Sequence, residues 1–286
     1  MVIKFFCWIG GKLRCVNEIT SLIPYDIDSY YEACAGSGAV LLNKFRHKFE
    51  CLNDLDPEIY NLFKVMSDKH KGEILLSRLL KLKHDQGMFI TAQAARKNEF
   101  KGLTDIEKAE MSFILITQSF NAGRKSYRKN VNQKQYTDIL NRNLSEVYKR
   151  LQGIEVTNMD ATKLIDSTRE NDKAFVLLDV PYIHELRGSK NLYPCEMSTQ
   201  KHEEMLSTIK DANCKIMLCG YRNNTVNDLY DRILLSNGNW KHYKLVDLPK
   251  SLQKKKVKDI GEEWVWLNYE PPKFSKYYID HSSVNW

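Results

Sequence analysis

Short apolar runs alternate with helix-period stretches along most of this 286-residue chain, and that rhythm narrows the choice of fold more than any other feature. The runs that read as strands are Ser29–Cys34, Phe49–Asn53, Ile154–Asn158, Ala174–Asp179, Lys215–Cys219, His242–Val246 and Trp264–Tyr269. Helical patterns fall between them at Lys12–Leu22, Ala39–Arg46, Glu58–Asp68, His202–Lys210 and Val226–Leu234. Strands separated by helices predict an α/β fold, a parallel sheet with helices on both faces. Between Gly72 and Gly153 the rhythm breaks into polar helix without a clear strand. Residues 72–150 therefore read as an inserted helical subdomain, and 1–71 with 151–286 as the domain that carries it. Within the insert, Leu140, Leu144, Val147, Tyr148 and Leu151 mark one apolar helix face.

Other classes drop out quickly. No stretch approaches the ~18 unbroken apolar residues of a membrane helix. The N-terminus reaches Gly10-Gly11-Lys12 too soon for a secretory hydrophobic region. Seven cysteines, an odd number with no Cys-x-x-Cys pair, predict a reducing compartment and no disulfide framework. The seven histidines are scattered, and none stands at metal-ligand spacing from another or from a cysteine. The expectation is a cytoplasmic protein that needs neither metal nor membrane.

Charge is concentrated in one place. The chain carries +7, and residues 121–150, with eight bases and two acids, hold +6 of it. Phe120, Tyr127 and Tyr136 are interleaved with those bases. A focused basic segment with aromatics suits a nucleic-acid backbone, although a charge run can equally be a solvated face.

Three constellations carry chemistry. Glu32-Ala33-Cys34-Ala35-Gly36-Ser37-Gly38-Ala39 follows a strand and opens a helix, where paired glycines allow a tight turn and close ligand approach. The dinucleotide fingerprint needs a third glycine at position 41, which is Leu41, so a nicotinamide or flavin oxidoreductase does not fit. Sixteen residues past Gly38, Asn53-Asp54-Leu55-Asp56 closes the next strand. An acid there suits ribose hydroxyls, and Asp56-Pro57 suits a helix N-cap, which gives Asp54 to the ligand and Asp56 to the cap. Last, Asp179-Val180-Pro181-Tyr182 ends an apolar strand. A carboxylate, a carbonyl and an aromatic face in sequence match an exocyclic amine on a planar base, and they also match an ordinary strand-end turn.

With those residues, the chain resembles the Dam-like family of S-adenosylmethionine-dependent DNA adenine-N6 methyltransferases, especially its phage and prophage branch. Trp8-Ile9-Gly10-Gly11-Lys12 is similar to the family's W-x-G-G-K motif, Glu32 through Gly38 to its cofactor loop, and Asp179 through Tyr182 to its D-P-P-Y motif. Gln118-Ser119-Phe120-Asn121 and Trp264 through Tyr269 resemble segments of the phage branch. The resemblance implies a Rossmann-like methyltransferase sheet with the insert as DNA target-recognition subdomain. It implies S-adenosylmethionine at Trp8, Lys12, Glu32, Gly36, Gly38, Asp54, Asp160 and Asp179. It implies a flipped-out adenine at Asp179, Val180, Pro181 and Tyr182. Double-stranded DNA would meet Asn121, Arg124, Lys125, Arg128 and Lys129, with Arg124 as base reader. Two positions depart from the pattern. Val180 replaces the first proline, and Asn121-Ala122-Gly123-Arg124 replaces the commoner N-G-L-x-R. The alternative reading is a DNA-binding protein on a methyltransferase scaffold that has lost its activity.

Overall fold

The structure, a computed structural model, describes residues 2–183, 195–222, 229–249 and 260–277. Among them run seven strands: β1 (Ser29–Glu32), β2 (Phe49–Asn53), β3 (Glu155–Thr157), β4 (Ala174–Leu178), β5 (Lys215–Tyr221), β6 (Lys241–Pro249) and β7 (Ile260–Leu267). The α-helices of the first half are α1 (Val16–Leu22), α2 (Ala39–Asn43), α3 (Pro57–Ser67), α4 (Lys69–Leu79), α5 (Gln86–Lys97), α6 (Asp105–Gln118) and α7 (Gln133–Leu151). Those of the second are α8 (Ala161–Thr168), α9 (Thr199–Ile209) and α10 (Leu229–Leu234). The sheet order is β3-β2-β1-β4-β5-β7-β6. The fold is α/β with a mostly parallel sheet: β1 with β4, β2 with β3 and β4 with β5 pair parallel, and β7 pairs antiparallel with β5 and with β6.

The chain divides into two compact units. The first holds Met1–Arg14, Ala35–Lys44 and Cys51–Asn158. Its centre is α6, whose Phe113-Ile114-Leu115-Ile116 run is buried on every side and packs on α3, α4 and α5. A capping box starts α6, with Thr104 bonding the Glu107 N–H and Glu107 bonding back to the Thr104 N–H. On α7, Tyr136, Leu140, Leu144, Val147 and Leu151 are buried at helical spacing. Tyr148 stays half-buried because its hydroxyl donates to the Lys69 carbonyl at 3.1 Å.

The second unit holds Cys15–Cys34, Phe45–Glu50 and Met159–Trp286. All five residues of β4 are buried, as an apolar strand covered on both faces must be. Val176 and Leu178 join Ile216 and Leu218 of β5, Trp264 and Trp266 of β7, and Met205, Leu206 and Ile209 of α9 in one apolar cluster.

Several element ends differ from the sequence reading. The stretch Lys12–Leu22 opens with a 3₁₀ turn over Lys12–Cys15 before α1. Helix α2 stops at Asn43 rather than Arg46. The Asn43 side chain is engaged by the Ile3 backbone, accepting its N–H at 2.7 Å and donating to its carbonyl at 2.8 Å, and Lys44 is already extended. Strand β7 begins four residues earlier than the apolar run, since backbone pairing with β6 continues from Lys241↔Leu267 to Pro249↔Ile260. Part of the expected helix at 226–234 lies outside the described residues.

Candidate active site

Within the first unit, two segments, residues 8–12 and 54–57, meet the glycine loop. Gly36 has φ +50° and Gly38 has φ +64°, a left-handed backbone that side chains rarely adopt. A Cβ on Gly36 would stand 2.7 Å from Trp8 Cδ1, so the indole lies directly across the loop. Asp54, just past β2, spans the loop and the next helix. Its Oδ2 accepts the Gly36 N–H at 2.8 Å, and its Oδ1 accepts the Asp56 N–H at 2.9 Å. Burial pushes the Asp54 carboxyl up to about 6, against the lowering effect of those two N–H groups. Asp56 caps α3 by accepting the Glu58 N–H at 2.9 Å, with Pro57 in the first turn. Lys12 is buried, and its ammonium donates to the Gly10 carbonyl at 3.1 Å.

The second unit carries the remaining sequence candidates. Glu32 ends β1, is buried, and accepts the Tyr30 hydroxyl at 3.0 Å. Asp160 caps α8 through the Thr162 N–H at 2.9 Å. Asp179 follows β4 at its carboxyl end and is half-buried. Val180 is buried, with its side chain in the apolar cluster beside Leu178 and Trp264. Tyr182 donates its hydroxyl to Glu263 Oε2 at 2.7 Å and meets the Tyr221 ring edge-on at 4.7 Å between centroids. Burial, with the Glu263 charge beside it, holds the Tyr182 hydroxyl protonated well above the ordinary tyrosine range.

A match to a protein-family model decides what these groups belong to: residues 8–245 fit the D12 class of N6 adenine-specific DNA methyltransferases. The chain belongs to this family. A DNA adenine methylase of Haemophilus influenzae is 34% identical over 70 residues, which is 24% of this chain and 24% of that protein. The chain thus matches about a quarter of the length of that relative.

The structure sorts the residues of the basic segment into two kinds. Asn121, Lys125, Arg128 and Lys129 are exposed. They lie on a loop closed by the Ser119↔Tyr127 bridge and by the Arg128 N–H bonding the Gln118 carbonyl at 2.8 Å. Arg124 is different, and the base-reading role expected of it is not supported. Its side chain is 3% exposed, with Nη2 2.6 Å from Asp56 Oδ2 and Nη1 3.1 Å from Glu58 Oε2. Arg96 takes the other Glu58 oxygen at 2.5 Å, and the Arg124 guanidinium lies 5.4 Å from the Trp8 ring centroid. A guanidinium committed to the buried Asp56 and the half-buried Glu58 cannot read a base without breaking both pairs. Sequence reasoning also missed Glu263. The available signal was Glu262-Glu263 standing immediately before the apolar Trp264-Val265-Trp266.

Proposed function

We propose that this chain transfers a methyl group from S-adenosylmethionine to the N6 amine of an adenine in double-stranded DNA. Family membership over residues 8–245 is the observation that carries the reading. The glycine loop supports the cofactor part: Trp8 lies where a Gly36 side chain would be, and Asp54 presents a carboxylate with lone pairs beyond its two backbone bonds. That donor set suits an aromatic face against the ligand and a ribose diol on the acid. Lys12, Glu32, Gly38 and Asp160 complete the cofactor set on the family pattern, Lys12 attracting the carboxylate of the methionine end.

When bound, S-adenosylmethionine supplies an activated methyl group. This chain's residues prepare the acceptor. The adenine amine is a poor nucleophile because its lone pair is conjugated with the ring. Asp179 and the Val180 carbonyl accept hydrogen bonds from its two N–H groups, which turns that lone pair out of conjugation, while Pro181 restricts Val180 to extended angles. Tyr182 stacks on the base. Its hydroxyl, held protonated by burial and Glu263, acts as an anchor and takes no part in proton transfer. Catalysis on this account is positioning and electrostatic stabilisation. A base in a duplex cannot present its amine this way, so it is flipped out, at a cost of a few kcal/mol. Target recognition falls to residues 72–150, which share one compact unit with the glycine loop, and Lys125, Arg128 and Lys129 hold phosphates.

The direct test is incubation with methyl-labelled S-adenosylmethionine and mixed DNA, followed by nucleoside analysis. Label in N6-methyladenine supports the reading, and label confined to methylcytosine or to RNA overturns it.

A pH dependence follows from Asp54. Two hydroxyl donors favour the ionised carboxylate, which is acceptor-only, and the carboxyl of the free protein is pushed up to about 6. Cofactor binding should therefore release a proton, and affinity should rise with pH and level off above 7. At pH 5 it should be about tenfold weaker than on the plateau. Asp54→Asn should flatten this profile. The same shift makes the fold itself less stable as pH rises from the unfolded carboxylate value near 4 to about 6, because there the folded state holds a proton that the unfolded chain has lost. Calorimetry in two buffers of different ionisation enthalpy measures the proton release, and a flat affinity profile in the wild type would remove Asp54 from the ribose site.

A further inference from the structure

Strand β7 lies between β5 and β6, where both faces are covered and apolar residues are expected. Val265 and Leu267 share one face of it with Glu263, and all three are buried. A carboxylate at 7% exposure in such a strand is costly unless charge-assisted hydrogen bonds hold it. One such bond comes from Tyr182, at 2.7 Å, within the range of an O–H···O⁻ contact. Directly opposite Glu263 on β5 is Tyr221, whose ring meets Tyr182 edge-on at an interplanar angle of 70°. Carboxylate and ring, cross-strand neighbours, therefore fix both the hydroxyl end and the plane of Tyr182. A hydrogen bond at the para position of a ring limits its tilt, and tilt decides whether an aromatic can stack on a base.

We propose that Glu263 is a positioning residue for the target adenine, holding the Tyr182 ring in the stacking orientation through its hydroxyl. This rests on the reading of Tyr182 as the base-stacking residue. Glu263 itself touches neither base nor cofactor on this account, and its effect on the base passes through Tyr182.

The test combines Glu263→Leu, Glu263→Gln, Tyr182→Phe and Tyr182→Ala, with kcat measured on DNA that keeps the target adenine and flipping measured on a parallel duplex that carries 2-aminopurine in its place. Glutamine keeps an acceptor for the hydroxyl, and leucine removes it at similar volume. Glu263→Leu should lower kcat by about 10–100-fold, the range for one lost charge-assisted hydrogen bond expressed in the transition state. It should also abolish the fluorescence rise of flipped 2-aminopurine, with cofactor affinity within about twofold of wild type. Glu263→Gln should stay within about threefold in kcat. Should Glu263→Leu fail to fold, Tyr182→Phe removes the same bond from the other end and should reproduce both losses. In a folded double variant, Tyr182→Phe should add nothing to Glu263→Leu. Wild-type turnover and a wild-type fluorescence rise in either bond-deleting variant overturn the proposal. Tyr182→Ala separates the two readings. If it methylates normally, the stacking role of Tyr182 fails. If it is impaired while Tyr182→Phe is normal, stacking stands and the role of Glu263 falls.

Discussion

Replacing Asp179 with alanine should lower methylation by ~100-fold or more while leaving a folded protein. The residue sits past the last position of β4, half-buried and outside the apolar cluster, so its removal opens no core cavity. In the proposed mechanism it supplies an acceptor whose hydrogen bond strengthens as the amine gains charge, and such an interaction appears in kcat and not in binding. Single-turnover methylation with saturating DNA and cofactor measures it. A variant within about threefold of wild type would place the acceptor elsewhere.

The second large effect is on stability, and it separates cations that look alike in the sequence. Arg124→Leu should destabilise the protein by about 3–5 kcal/mol, the cost of removing one partner from a buried ion pair. Asp56 would lose the guanidinium 2.6 Å away, while Glu58 would keep Arg96. Arg124→Lys keeps the charge but not the planar fork, and should fall between leucine and wild type. Neutralising Arg128 and Lys129, both exposed, should leave stability nearly unchanged and weaken DNA binding across all sequences. If each holds one phosphate, the log–log slope of affinity against salt should fall by about 2. Denaturant unfolding and DNA titrations at several salt concentrations read both arms. An Arg124→Leu protein of wild-type stability with altered sequence preference would return that residue to the DNA face.

The alternation of apolar runs and helices was enough to place each strand, because a strand buried on both faces can only be a short apolar run, as Ala174–Leu178 is. The left-handed turn at Gly36 and Gly38 and the cap at Asp56 were legible for a similar reason: each is a local device whose residues lie within a few positions of one another. What stayed hidden was long-range. Arg124 and Asp56 are 68 residues apart, and nothing local distinguishes a guanidinium that will be buried from Lys125 beside it. The bond between Tyr182 and Glu263 spans 81 residues. There the apolar pattern was misleading, since it begins at Trp264 and leaves the paired acids outside the strand. The antiparallel placement of β7 was hidden too, because direction in a sheet depends on connections and not on the composition of the strand.

Val180 is where the account is most exposed. Its buried side chain fills the cluster around Leu178 and Trp264, which gives the valine a packing role that does not disturb the carbonyl the chemistry uses. Losing the proline ring costs roughly 0.4–1 kcal/mol of conformational restriction, a factor of about 2–5 in rate at most. The deciding measurement is one methylation assay run on the wild type, Val180→Pro and Asp179→Ala, with N6-methyladenine as the product counted. The wild type should turn over within about fivefold of Val180→Pro, and both should exceed Asp179→Ala by ~100-fold or more. A wild type as inactive as Asp179→Ala, with turnover restored by Val180→Pro, would contradict the account and leave a DNA-binding protein on a methyltransferase scaffold.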